Sequence, residues 1–94
     1  MPPDKLIAYL LETAQALLDT ATYESQTYKA GVLAHWLATL VESSAPDITP
    51  KYLGISDPET GEPLEEITGE ALLEITLALP DGTLLQESAL LRRR

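Results

Sequence analysis

The one histidine of the chain, His35, is the natural place to look for proton-transfer chemistry. A histidine acting as a general base needs an activated nucleophile and an orienting acid nearby. Its neighbours supply neither, because no residue from Ala30 to Leu40 carries a formal charge. Set beside Trp36 among alanines and leucines, His35 reads as a packed or half-buried residue bonded to a polar neighbour.

Carboxylates are the other candidates. Asp57, Glu59, Glu62, Glu65, Glu66, Glu70 and Glu74 fall within a short stretch. Paired carboxylates do acid–base work only where burial or proximity splits their pKa values. These sit in turn-like and polar strand positions, so the stretch reads as a solvated acidic face, with Glu62, Glu65 and Glu66 at its centre. The run Asp57-Pro58-Glu59-Thr60-Gly61-Glu62 faintly resembles the start of an EF-hand loop. Pro58 and the misplaced Gly61 break that pattern. No cysteine is present, which excludes disulfides, thiolate metal sites and a cysteine nucleophile. The glycines are scattered, and none forms a phosphate-cradling loop. The chain therefore reads as non-catalytic, with no metal and no cofactor expected.

Charge narrows the partners. The net charge is −9, and between Tyr52 and Leu91 there are nine acids and no Lys or Arg. Such a field repels phosphate, which argues against nucleic acid and anionic membranes and favours a basic protein partner. Arg92, Arg93 and Arg94 form the one basic cluster and read as a solvated end, with the option of folding back on the acidic face. The start, Met1-Pro2-Pro3-Asp4, lacks the pattern of a signal peptide. The uncharged run Ala30–Val41 is shorter than the roughly 20 residues that a membrane span needs. A cytoplasmic protein is the expectation.

These side chains must be held by a fold. Ile7, Leu10, Leu11, Ala14, Leu17 and Leu18 recur at helical spacing and predict a helix over about 5–19, with Asp4 as its cap. A second helix is expected from a cap at Thr20 or Thr22, with Glu24 in its first turn, to about Ser43. Its core stripe is Ala30, Leu33, Trp36 or Leu37, Leu40 and Val41. A short link makes the pair an antiparallel hairpin. The second helix is apolar nearly all round. Opposite the Leu33 stripe lie Tyr28, Val32, His35 and Thr39, with Trp36 beside them. A helix of this kind is normally buried on two sides. The first expectation is that helix one covers one face and a sheet the other. The alternative is a partner or subunit interface.

Beyond Pro46 the pattern becomes β-like. Short strands are expected at 51–55 and 64–67, and a turn at 57–61. Leu73, Ile75, Leu77 and Leu79 alternate with Glu74, Thr76 and Ala78, the clearest period-two run in the chain. Pro80-Asp81-Gly82 has hairpin-turn composition. A return strand through Thr83–Leu90 follows, although Leu84-Leu85 and Leu90-Leu91 break alternation and Thr83 with Gln86 suits a short helix instead. The whole is one α+β domain over 1–94: a helical hairpin at 5–43, then a small antiparallel sheet of two to four strands at 49–91. An aliphatic core is expected, since there are eighteen Leu and no Phe.

The leading functional expectation is a small protein-binding chain: an adaptor, assembly factor or regulatory subunit. Its apolar second helix or an open sheet edge would bind the partner. A homodimer is one form this takes. The alternative is an acidic inhibitor, of the antitoxin, immunity or nucleic-acid-mimic sort, whose acidic segment meets a basic partner.

Overall fold

A computed structural model describes residues 2–20 and 28–92. Two helices are followed by a three-stranded antiparallel sheet whose last strands form a hairpin, an α+β arrangement.

Helix α1 spans Pro3–Thr20. The carbonyl of Pro2 accepts the first helical bond, from the N–H of Leu6 at 2.9 Å. Pro3 therefore occupies the first helical position, where its missing N–H costs nothing. Asp4 lies within the first turn, facing the helix dipole, and not ahead of the helix as a cap. Leu6, Ile7, Leu10, Ala14 and Leu18 are buried. Leu11 and Leu17 pack against that core from its margin.

The second helix is shorter than its sequence suggests. Tyr28–Lys29 forms a short strand, β1, and helix α2 spans Ala30–Ser44. Thr20 is the last residue of α1, and its hydroxyl donates to the Leu17 carbonyl at 3.1 Å. The expected cap at Thr22 and acid at Glu24 lie outside the described residues. What starts α2 is tertiary. Strand β1 pairs antiparallel with β3 (Glu66–Ile67), and the Ala30 N–H donates to the Glu65 carbonyl at 2.9 Å. That carbonyl satisfies one of the backbone donors every helix start leaves open.

The main sheet has the order β2-β4-β5, with β2 at Thr49–Ser56, β4 at Glu70–Ala78 and β5 at Leu84–Arg92. In the central strand Ala71, Leu73, Ile75 and Leu77 are buried and the residues between them are partly open. This is the alternation of a sheet with one covered face. Both helices pack on that face, α2 over β2 and α1 over β5. The core is a single aliphatic cluster, with Leu33, Leu37 and Val41 of α2 fully buried in it. Each such side chain contributes about 1.5–3 kcal/mol by leaving water.

The turns follow their composition. Gly82 has φ of 88° and donates its N–H to the Leu79 carbonyl, while Leu79 donates to Thr83. Gly61 has φ of 75° and donates to the Asp57 carbonyl. Residues 83–91, for which a helix was the other option, belong to the hairpin: β5 pairs with β4 without irregularity from Leu84 to Arg92. Its doubled leucines are explained by register. Leu85 and Leu91 lie opposite buried Leu77 and Ala71, whereas Leu84 and Leu90 take the outer face. The 64–67 strand is reduced to β3, which pairs with β1 and not with the main sheet.

Candidate functional site

Helix α2 carries most of the residues singled out from sequence. Val32, His35, Trp36 and Thr39 all lie on its solvent side. Val32 is 47% exposed and Trp36, one turn on, 52% exposed. Burial on two sides, the first expectation, is therefore not what this helix has. One stripe, Leu33, Leu37 and Val41, serves both α1 and the sheet, and the opposite stripe is open. Trp36, an alternative for the core stripe, belongs to the open one, and Leu37 takes the core position. Tyr28 precedes the helix, in β1 opposite Ile67.

The open face is chemically quiet. The Thr39 hydroxyl donates to the His35 carbonyl at 3.0 Å, and the Ser43 hydroxyl donates to the Thr39 carbonyl at 2.8 Å. Hydroxyls bonded back to their own helix are not presented to solvent as free donors. Among the described residues no hydrogen bond or ion pair joins the exposed His35 ring to a carboxylate or an amine. What remains is an indole, an isopropyl group and an imidazole on a surface without formal charge until Glu42.

The acidic residues of the predicted solvated face are tied into the fold mainly through their backbone. Glu66 lies opposite Lys29 in the β1–β3 ladder, and their side chains form an ion pair at 3.1 Å. Glu65 contributes its carbonyl to the start of α2, and Glu62 accepts from the Asp57 N–H through its own carbonyl at 2.8 Å. All three side chains are exposed. The Asp57 carboxylate accepts the Glu59 N–H at 2.8 Å, so it serves its own turn. Among the described residues no group of three or more His, Asp or Glu side chains is arranged to hold a metal ion. No helix among them is long and apolar enough to cross a membrane.

Two further surfaces are open to solvent. The outer face of the sheet is uncovered and exposes Tyr52, Leu84 and Leu90. The Tyr52 ring lies over Gly54, filling the space where another residue's Cβ would stand. The second surface is the free edge of β5. The sequence predicts an open edge but marks its place on β5 only by Glu87, an acid between Leu85 and Ala89 at period two. A shallow depression of about 320 Å³ lies over the β4–β5 pair, lined by Glu74, Thr76, Gln86, Glu87 and Ser88 among others. In comparisons with known proteins the chain matches no protein-family model and no curated protein significantly, so the surfaces themselves carry the functional reading.

Proposed function

We propose that this chain is a small non-catalytic protein-binding module that docks an uncharged, apolar protein surface on the open face of α2. Val32 and Trp36 are the centre of that contact, with His35 and Thr39 at its margin. The single observation behind this reading is the exposure of Val32 and Trp36 on a charge-free helix face of a molecule with net charge −9. Large exposed aromatics next to aliphatic side chains are the usual anchors of protein interfaces. Like-charged molecules meet most readily where they carry no charge. An adaptor, assembly factor or regulatory subunit fits these features, and the lack of cysteine fits the cytoplasm.

The test is capture of partners from a native extract with wild-type and Val32→Glu protein, washed at high salt. The expected result is a partner retained by the wild type and lost by the variant, with unchanged circular dichroism and melting temperature. If Val32→Glu unfolds the chain, the face is core and the reading fails. Recovery of the chain's own copies alone, lost with Val32→Glu, makes α2 a homodimer interface.

A further inference from the structure

The two edges of the sheet are built differently. Strand β2 is blunted along its length. Pro50 stands near its start, and the register slips between Pro50 and Tyr52, leaving Lys51 as a bulge. Its far end is covered by a returning segment: Leu64 donates to the Ile55 carbonyl at 2.9 Å, and Ser56 bridges Pro63. Proline, lysine, a bulge and a covering loop are the common means of keeping an edge from pairing with other chains.

Strand β5 has none of these. Its pairing with β4 is regular throughout. The Leu79–Thr83 bond places the odd-numbered residues' backbone groups toward β4. Successive residues of an antiparallel strand point their N–H and C=O to opposite sides. Leu84, Gln86, Ser88, Leu90 and Arg92 therefore direct theirs outward. Among the described residues only Arg92 has a partner there, the Gln15 side chain. The other four stand at an open edge, and Leu84 and Leu90 are 56% and 43% exposed.

We propose that this edge receives an extended segment of a basic partner protein as a fourth strand, with a lysine or arginine of that segment opposite Glu87. Glu87 decides the occupant. It pairs with Ile75 and so lies on the helix side of the sheet, between Leu85 and Ala89, yet it is exposed at the rim. A second copy pairing antiparallel through all four open residues would set Leu84 against Leu90, Gln86 against Ser88, and Glu87 against its own twin. Like charges directly opposite in a ladder destabilise it. A basic residue there forms an ion pair instead. The surroundings agree, since no Lys or Arg lies between Tyr52 and Leu91. Backbone bonds then supply affinity and Glu87 supplies selectivity. This surface lies on the α1 flank, away from α2, and does not depend on the function proposed above.

The test uses the full chain and two synthetic nine-residue peptides of alternating Val and Thr, one with Lys and one with Glu at the central position. Titration into isotope-labelled protein is read by NMR. The Lys peptide should shift and protect the amides of Leu84, Gln86, Ser88 and Leu90, and should bind at least tenfold more tightly than the Glu peptide. Glu87→Lys should reverse that preference and Glu87→Gln should abolish it, while Val32→Glu should leave it unchanged. Absence of β5 shifts with either peptide overturns the proposal, as does a preference that ignores residue 87. Protection of the four amides in a dimer without peptide overturns it too, by giving the edge to a second copy.

Discussion

The Gln15 carboxamide pairs with both backbone groups of Arg92. Its Nε2 donates to the Arg92 carbonyl at 2.7 Å, and its Oε1 accepts the Arg92 N–H at 3.1 Å. One side chain of α1 thus stands in for a residue of a neighbouring strand, closing the end of an otherwise open edge. Nε2 also reaches Asp19 Oδ1 at 3.0 Å. Gln15→Ala should destabilise the fold by about 1–2 kcal/mol, the usual net worth of one or two hydrogen bonds. Urea denaturation measures the loss. Amide exchange should quicken at Arg92 far more than at Ile75.

Adjacent residues of α2 should respond oppositely. Leu37 is fully buried and Trp36 is 52% exposed. Leu37→Ala should cost about 2–5 kcal/mol through lost burial and a residual cavity. Trp36→Ala, although it removes more atoms, should change stability by about 0.5 kcal/mol or less. Thermal melts of the pair test whether the helix is oriented as described.

The Lys29–Glu66 pair should contribute little on its own. Its side chains are 68% and 43% exposed, and exposed pairs are worth about 0–1 kcal/mol. Lys29→Ala should therefore be nearly neutral, whereas Ile67→Ala, from the fully buried residue beside it in the ladder, should cost about 2–5 kcal/mol. Chemical denaturation of both variants separates charge from packing at the start of α2.

Asp81 should give the hairpin turn a pH signature. Backbone and side-chain hydrogen bonds from Thr83 hold its carboxyl below the ordinary value of 3.8, and the Thr83 N–H lies 2.9 Å from Oδ1. A depressed folded-state pKa adds stability that is complete above the unfolded value and is lost as pH falls through the folded one. Asp81→Asn should remove this component, with a small loss of stability at neutral pH, none below the folded-state pKa, and a shallower acid limb between. A carboxyl-carbon NMR titration should place the wild-type midpoint below 3.8.

Much of this architecture is legible from residue order because the sheet has one covered face. Leu73, Ile75 and Leu77 alternate cleanly, and α1 repeats its apolar residues at turn spacing, so local pattern and tertiary burial agree. The solvent face of α2 is also readable, since Val32, His35 and Thr39 follow three- and four-residue spacing. Its burial was not, because a stripe of apolar residues does not say how many neighbours a helix has. Trp36 and Leu37 are equally plausible core residues by type, and only the placement of α1 and β2 separates them. The start of α2 fails for a different reason. Tyr28 and Lys29 are drawn into a ladder with Ile67 and Glu66, a pairing remote in sequence that overrides local helix preference. The open edge of β5 depends on strand order, which residue patterns do not encode.

The tight hairpin between β4 and β5 also sets how this chain tolerates changes in length. Side chains on a strand alternate with a period of two, so a single residue inserted at Pro80–Gly82 would threaten the pairing by one step. Realigned in that way, β5 would turn Leu85 and Leu91 outward and bring Gln86 and Ser88 over the core. The loop from Asp57 to Gly61 carries no such burden, because the segment after it joins β2 through a single bridge and a few bonds. Variation in length should therefore be tolerated in the acidic loop and rejected at the hairpin, which makes the former the natural place to insert a tag or label.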